Sequence, residues 1–401
     1  MKYLKKTLRF FIKLLYAIVL IVLTIIAGTS VSLIYDFAKP EPFAGPDIFN
    51  PYRNIDTVHC WKKASFHTHT RVEGFLNECE YWPDEVYRRY EKLGYDIVTF
   101  SNHNELTEHP FDKELQVNVY EHGYNLFRFH KLVFGSDEVI HFDHLLPIMP
   151  SQMQFQIDLL GKSSDIIQFN HPRRTMMITK EVMEKVYGYD IIEIDCKSDT
   201  ECVYWDWALS AGRYSFGLAS DDLHYPDQSY RIARRCSFIC SPSGKYEDIK
   251  RTLLDGCYYS MRIPDYGDGD WELKTKKNHE LPYITDIGLN GDTIFIGVSH
   301  VADSIKVYGQ GHATLMTALN CDYAAYTMKK EDPYARFTVF FPEGEVIFSN
   351  PFARYDASTA DSPVRANLYS VNIMLTVIFN AALIALIALF VFTFYKTIIK
   401  R

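Results

Sequence analysis

Hydrophobic positions are concentrated in two uncharged runs, one near each end of the chain. No charged residue occurs from 14 to 35 or from 366 to 395. Each run is about long enough to cross a bilayer core of roughly 30 Å. A cleaved signal peptide is the alternative for the first run, but that run exceeds the usual signal-peptide core. We therefore predict transmembrane helices at residues 11–35 and 371–395.

Basic residues flank the outer ends of both runs, whereas the inner flanks are mixed and less basic. The outer flanks carry Lys2, Lys5, Lys6, Arg9, Lys13, Lys396, Lys400 and Arg401. The positive-inside tendency then predicts that both termini are cytoplasmic. We expect a protein of the cell membrane whose intervening domain, from about residue 40 to 365, is extracytoplasmic.

Between the runs, short apolar segments alternate with amphipathic ones. Four prolines in residues 36–59 predict a linker. Over residues 60–265, strands such as "DIIQFNHP" alternate with helices such as "PDEVYRRYEKLG", which has Pro at its start and Gly at its end. Alternating strands and helices predict a parallel α/β sheet, and six or seven such units favour a closed or nearly closed barrel.

After residue 280 the helices disappear from the pattern. Residues 280–356 contain strands joined by tight turns such as "NGD" and "PEG". We expect a small all-β module there.

The net charge of −8 argues against a nucleic-acid partner, because phosphate binding favours a basic surface. The eight cysteines are compatible with buried thiols or with one or two disulfides.

Histidines and carboxylates follow successive predicted strands. His67 and His69 alternate along a strand, so both side chains point to one face and can reach one metal ion. Strand ends also carry His103 in "SNHNE", Glu138 in "SDEV", His144 in "HLLP", His171 in "NHP", and Asp222 and His224 in "SDDLH". These are usual ligands of zinc, manganese and iron, and barrel active sites lie at strand ends. The pattern predicts a metal site on this rim.

Some positions remain open at this level. Asp221 competes with Asp222, and His141 with His144. Glu193 and Asp195 could orient the ligands or simply begin a polar loop. The other histidines are expected in ordinary surface or core roles: His59, His109, His122, His130, His279, His300 and His312.

The ordered motifs "HTHT", "SNHNE", "SDE", "HLLP", "NHP" and "SDDLH" resemble those of the PHP (polymerase and histidinol phosphatase) phosphoesterase superfamily over residues 60–262. The trailing β module resembles that of the CehA/McbA-type metallohydrolases in this superfamily. The resemblance implies a distorted (β/α)7, TIM-like barrel with two or three divalent metal ions (Zn, Mn or Fe) at its mouth.

The resemblance also implies which residues hold the metals. The three implied ligand groups are His67, His69, Glu138 and Asp222; Glu138 as a bridge to His144 and His171; and Glu73, His103 and His224. The sequence departs from the family pattern at Glu73, where the spacing is one residue shorter, at Asn102, which replaces an aspartate, and at Asp221, an additional acid.

Such a site implies hydrolysis by a metal-bridging hydroxide near neutral pH. Arg173 and Arg174 are candidate substrate-binding residues, because guanidinium groups match phosphate; solvated loop positions are the alternative. We expect a phosphoesterase acting on a small-molecule or lipid-like phosphoester. The alternatives are hydrolysis of a carboxylic or carbamic ester or an amide at the same site, and a non-catalytic membrane receptor or scaffold.

Overall fold

The computed structural model describes residues 2–55, 61–73, 77–195, 202–267 and 269–399. The helices are α1 (Lys2–Thr29), α2 (Pro83–Lys92), α3 (Pro150–Leu160), α4 (Lys180–Lys185), α5 (Val203–Ser210), α6 (Tyr246–Asp255), α7 (Trp271–His279) and α8 (Ile373–Phe394). The first nine strands are β1 (Tyr35–Phe37), β2 (Asp47–Phe49), β3 (Trp61–Ser65), β4 (Ile97–Val98), β5 (Val119–His122), β6 (Lys131–Phe134), β7 (Ile166–Phe169), β8 (Ile191–Asp195) and β9 (Phe216–Ala219). The other strands are β10 (Arg235–Cys240), β11 (Tyr258–Arg262), β12 (Ile284–Asn290), β13 (Thr293–Gly309), β14 (Ala313–Thr327), β15 (Tyr334–Phe340), β16 (Val346–Ser349), β17 (Phe352–Tyr355) and β18 (Tyr369–Val371).

Two open, mixed sheets carry the domain between the terminal helices. A five-stranded sheet has the order β5-β6-β7-β8-β9, in which β6 is antiparallel to both neighbours and the other pairs are parallel. An eleven-stranded sheet follows the path β12-β13-β15-β16-β11-β10-β3-β4, with β14, β17 and β2 attached beside it. The strands after residue 280 are thus continuous with β3 and β4 in one sheet.

The sequence predicts a closed or nearly closed parallel barrel, whereas the sheets are open and mixed. The connection between β5 and β6 is too short for a crossover helix, because a parallel return needs a dozen residues or more. The two strands consequently form a hairpin. Two isolated bridges, Thr68–Leu223 and His103–Glu121, connect the edges of the two sheets at the rim.

Apolar side chains fill both sides of this arrangement. Strands of the smaller sheet contribute Leu132, Ile167, Ile192 and Leu218, each at most 2% exposed, to one hydrophobic cluster. A second cluster underlies the larger sheet and includes Ile305, which is fully buried. Burial of several such side chains, at roughly 1.5–3 kcal/mol each, holds the strand ends in fixed positions.

The terminal helices are long and apolar enough to cross a membrane. The apolar segments extend over Lys6–Thr29 and Ile373–Ile399, each with a mean hydropathy of 2.7. The first ends six residues before the predicted boundary at 35, and β1, which pairs with β18, begins at that boundary. The side chain of Asn380 accepts a hydrogen bond from the Ser32 amide (3.2 Å) and donates one to the Ser32 carbonyl (2.9 Å). This polar residue of α8 is therefore satisfied against the end of α1.

The end of α1 is also attached to the segment that enters α3. His144 donates from Nε2 to the Val31 carbonyl (3.1 Å) and accepts from Gln156 at Nδ1 (3.0 Å). The Tyr35 amide donates to Ser151 Oγ (3.1 Å). Within the stretch 36–59 predicted as a linker, β2 pairs with β17. These bonds hold the mixed-sheet domain against the ends of the apolar helices.

His144 makes this attachment sensitive to acid. Burial lowers the pKa of His144 to about 4, against about 6.5 in an unfolded chain. The unfolded state therefore binds the proton first, and stability present above pH 6.5 should fall by up to about 3 kcal/mol as the pH drops towards 4. Urea unfolding of the full-length protein in detergent across this range measures the effect. His144→Asn should flatten this part of the profile, whereas His141→Asn, at an exposed position, should leave it as in the wild type.

Candidate metal centre

The candidate metal ligands lie together at one end of the strands of the two sheets. The end of β3 places His67 and His69 there, and the segment after β4 places His103. The other contributors are Glu121 in β5, His130 just before β6, His171 after β7, and Asp222 and His224 after β9. Because β6 runs opposite to its neighbours, its start meets the carboxyl ends of β5 and β7.

Four buried side chains form the centre of this cluster. His67, His69, Glu121 and Asp222 each offer a ligand atom, and these atoms all lie within 4.8 Å of one another. Glu121 Oε2 lies 3.2 Å from His67 Nε2 and 3.1 Å from His69 Nε2. Asp222 Oδ1 lies 3.4 and 3.2 Å from the same two nitrogens. This convergence of imidazole nitrogens and carboxylate oxygens is the usual composition of a transition-metal site.

Glu121 connects this centre to a second group of ligands. Its Oε2 lies 3.2 Å from His103 Nε2, while its Oε1 lies 3.2 Å from both His130 Nδ1 and His171 Nε2. His103, Glu121 and His130 form another group able to hold an ion. The two oxygens of one carboxylate thus face two sets of histidines, as a bridging ligand does.

A third possible group lies on the solvent side. Glu78 Oε2 is 3.2 Å from His103 Nε2 and 3.5 Å from His69 Nδ1, and these three residues also meet the spacing for an ion. His224 Nε2 lies 3.1 Å from Asp222 Oδ1, and its ring stacks on that of His69 at 4.3 Å. His224 therefore borders the central group.

The donor set fits divalent cations. His67 Nε2 and both ring nitrogens of His69 are buried without a hydrogen-bond partner among the described residues. Leaving such atoms unpaired is costly unless another ligand satisfies them. Burial would raise the pKa of Glu121, but the facing His67, His103 and His130 hold it well below its usual range. The carboxylate is therefore ionised, as metal coordination requires.

Glu193 orients two residues of this cluster, His67 and His171. Its Oε1 accepts a hydrogen bond from His67 Nδ1 (3.0 Å), and its Oε2 accepts the amide of His171 (2.8 Å). This bond fixes the His67 tautomer so that Nε2 faces the central group. The backbone conformations of His171 (φ 28°) and Asp222 (φ 46°) are rare for side-chain-bearing residues. Such strain is typical of functional positions. The side chain of Asp195 lies outside the described residues.

Loss of the Glu193 carboxylate should weaken metal binding without removing a ligand. We expect Glu193→Gln to lower metal affinity roughly 10- to 100-fold. Isothermal titration with Zn²⁺ and Mn²⁺ measures this change. Glu181→Gln is the control, because Glu181 is exposed and pairs only with Lys185 among the described residues. An unchanged affinity in Glu193→Gln would contradict the orienting role.

The structure places the predicted metal ligands Glu73, Glu138 and His144 outside the possible metal-binding groups. Glu138 is exposed and follows the carboxyl end of β6, which points away from the rim because β6 is antiparallel. His144 has both ring nitrogens engaged by Val31 and Gln156, and the rival His141 is exposed. The misplacement of Glu138 follows from the assumption that every strand runs in the same direction, whereas His144 lies in a loop and not at a strand end.

Glu121 and His130 were missed by the sequence analysis. The segment "VNVYEH" has the residues of a short strand ending in polar side chains, and it was the available signal for Glu121. The sequence predicts an ordinary role for His130, because nothing local marks the start of an antiparallel strand as part of the rim.

The predicted ligand Glu73 and the positions that the sequence left open are placed as follows. Glu73 is exposed and outside the three groups, and Glu78 occupies the place expected for it. Asp222 faces the histidines, whereas Asp221 accepts backbone amides on the other side. His59 lies outside the described residues.

The two predicted substrate-binding arginines differ in position. Arg174 contacts the carboxylate of Asp222 directly, next to the central group. Arg173 is exposed on the adjoining loop. A cavity of about 330 Å³ borders Asp222 and His224 and is also lined by Arg231, Arg234 and Arg235. The surroundings of the cluster are therefore rich in guanidinium groups.

No protein-family model matches this chain. No curated protein matches it either. Among solved structures, the chain is similar to a two-domain protein from Bacteroides vulgatus that contains a predicted PHP-like metal-dependent phosphoesterase. The match covers 78% of this chain and 99% of that one, at 15% identity and a TM-score of 0.39. The function proposed for this chain therefore depends on the side chains around Glu121.

Proposed function

We propose that this protein is a metal-dependent hydrolase of phosphoesters. The observation that supports it is the convergence of buried histidines and carboxylates around Glu121, whose two oxygens face separate sets of imidazole nitrogens. His67, His69, Glu121 and Asp222 would hold one divalent ion, and Glu121 would share a second with His130, His103 or His171. Zinc, manganese and iron suit this donor set.

Bound divalent ions would supply Lewis acidity, by which they lower the pKa of water and neutralise charge on phosphoryl oxygens. The residues of the chain prepare the site for this chemistry. Glu193 holds the His67 ring in position, and the buried side chains around Glu121 exclude bulk water. Arg174 lies beside Asp222 and offers a planar guanidinium to a phosphoryl oxygen.

The surroundings favour a phosphoester over a carboxylic ester or amide. The cavity beside Asp222 and His224 is lined by three arginines. Guanidinium groups suit the two or more oxygens of a phosphoryl group, whereas a carboxylic ester or amide presents one neutral carbonyl. We assign Arg231, Arg234 and Arg174 as candidates to contact the phosphoryl oxygens.

The protein is further proposed to be anchored in the cell membrane by α1 and α8, with both termini cytoplasmic and the catalytic domain outside. The basic outer flanks support this orientation. The pairing of β1 with β18 supports it as well, because the two helices leave one antiparallel ribbon side by side. Protease accessibility of tags at the two termini in intact cells tests the topology, and an accessible terminus would contradict it.

A hydrolysis screen tests the activity. Full-length protein in detergent is stripped with a chelator, reloaded with Zn²⁺, Mn²⁺ or Fe²⁺, and assayed with phosphomonoesters, phosphodiesters, carboxylic esters and amides. We expect metal-dependent hydrolysis of a phosphoester that the chelator abolishes. Preferential hydrolysis of carboxylic esters or amides would overturn the substrate class. Activity that survives complete metal removal would overturn the proposal.

A further inference from the structure

Several exposed apolar side chains lie on the loops beside the metal centre. Leu126 is 63% exposed, Met176 55% and Met177 52%. The loops 123–129, 141–148 and 172–178 together carry Tyr124, Leu126, Phe142, Ile148, Met176 and Met177, and we call this set the apolar loop surface. Exposed apolar residues concentrated on adjacent loops mark an interaction site more often than scattered ones do.

Backbone hydrogen bonds connect these loops into one surface. The amide of Leu126 donates to the carbonyl of Leu145 (3.0 Å), and the amide of Met176 donates to the carbonyl of Phe127 (2.7 Å). The amide of Tyr124 donates to Asp143 Oδ2 (2.9 Å). The three loops therefore present their apolar side chains from a common, hydrogen-bonded base.

One side of this surface continues into the end of α1. The same segment that carries Phe142 and Ile148 contains His144, which bonds the Val31 carbonyl two residues beyond the last residue of α1. Gln152, at the start of α3, donates to the Ser30 carbonyl (3.5 Å). If α1 spans a bilayer, its end lies at the headgroup level. The apolar loop surface is then held beside that level.

The other side continues into the metal centre. The Tyr124 hydroxyl donates to the His103 carbonyl (3.0 Å), and the two rings lie 5.3 Å apart. The loop 123–129 leads directly into His130, and the loop 172–178 directly follows His171. The same loops thus connect the helix end to the candidate metal ligands.

The charges on these loops suit a lipid surface. Arg128 and Arg173 are exposed, two residues from Leu126 and three residues from Met176 respectively. Exposed basic residues next to apolar ones are the composition of interfacial membrane-binding segments, in which the apolar side chains enter the acyl boundary and the basic ones face phosphate headgroups. A protein partner would explain the apolar side chains but not their continuity with α1.

We propose that the apolar loop surface inserts into the bilayer leaflet next to α1, and that the substrate is an amphiphilic phosphoester taken from that leaflet. The substrate part of this inference rests on the proposed hydrolase function; the insertion itself does not. The phosphate headgroup of a membrane lipid would reach the cluster past Tyr124 without leaving the interface.

Insertion is tested without reference to activity. Full-length Leu126→Cys carrying an environment-sensitive fluorophore is reconstituted in vesicles of phosphatidylcholine and phosphatidylglycerol, with wild-type labelling subtracted. Nitroxide lipids should quench the probe at 126. The matched control is Leu319→Cys, which is 67% exposed on β14 in the β-rich part and should remain unquenched. Equal quenching at the two positions, or none at 126, would overturn the insertion.

The substrate class is tested with two phosphoesters. The triple variant Leu126→Ser, Met176→Ser, Met177→Ser should lower kcat/KM for phosphatidic acid in vesicles by at least about 10-fold, because interfacial binding scales with buried apolar area. Hydrolysis of water-soluble p-nitrophenyl phosphate should be unchanged, as should both activities in Leu319→Ser. Equal loss for both substrates, or none for phosphatidic acid, would overturn the lipid assignment. Wild-type protein inactive on every phosphoester would instead refute the hydrolase function, while the quenching result still decides insertion.

Discussion

Replacing Glu121 with glutamine is expected to reduce phosphoester hydrolysis by about 1,000-fold or more, because one substitution removes the carboxylate shared by two groups of ligands. Glu121 lies within 3.2 Å of ring nitrogens of five histidines: His67, His69, His103, His130 and His171. An amide can neither bridge two cations nor balance their charge. The measurement is kcat/KM on the best phosphoester of the screen, with each variant saturated in metal.

The matched control is Glu138→Gln. Glu138 is the acid that the sequence motif places at the bridging position. It is exposed beyond the carboxyl end of β6, at the opposite end of the strands from the rim. We expect Glu138→Gln to retain wild-type activity. Loss of activity in Glu138→Gln together with full activity in Glu121→Gln would mean that the sequence motif, and not the observed strand order, identifies the bridging ligand.

Substitutions of the neighbouring acids Asp221 and Asp222 are expected to have different effects. Asp222→Asn should abolish hydrolysis while leaving the fold intact, because Asp222 Oδ1 faces His67, His69 and His224. Asp221→Asn should instead destabilise the protein by about 2–4 kcal/mol, because an amide cannot accept at both of its polar atoms. Asp221 is buried and accepts from the Tyr90 hydroxyl and from three backbone amides, those of Ala233, Arg234 and Arg235.

Urea unfolding and hydrolysis, measured on the same preparations, separate the two effects. Asp222→Asn should lose much less stability than Asp221→Asn, since its amide oxygen can still accept from Arg174. Asp221→Asn should keep a substantial turnover per folded molecule. The reverse assignment of lost stability and lost activity would contradict the positions of these two side chains.

Local sequence patterns predicted much of the site. The alternation of His67 and His69 on one strand, and the polar residues that follow buried strands, predicted that His103, His171, Asp222 and His224 would lie on a common rim. The structure brings these residues together. Local patterns sufficed there because each of these residues follows a strand of the expected direction.

The rest of the site depends on strand direction and strand pairing, which local sequence patterns do not determine. Whether β6 returns antiparallel is decided by the short connection from β5 and by pairing with β7, not by the residues of "SDEV" themselves. That direction moves Glu138 off the rim and brings His130 onto it, whereas Glu121 lies near the carboxyl end of β5, a strand that the sequence analysis does not assign. Glu193 is likewise recognisable as an orienting residue only once its carboxylate is seen against His67 Nδ1. The predicted closed or nearly closed barrel differs from the open, mixed sheets for the same reason, because the periodicity of a sequence does not reveal strand direction.

Metal content tests the central claim most directly. Full-length wild type, Glu121→Gln and Glu138→Gln are purified in detergent, equilibrated with Zn²⁺, Mn²⁺ and Fe²⁺, desalted, and analysed by inductively coupled plasma mass spectrometry. The position of Glu121 between two ligand groups predicts about two divalent ions per chain in the wild type and in Glu138→Gln, and at most about one in Glu121→Gln. Wild-type protein that binds no divalent ion, or Glu121→Gln that binds as many as the wild type, would contradict a metal centre built around Glu121.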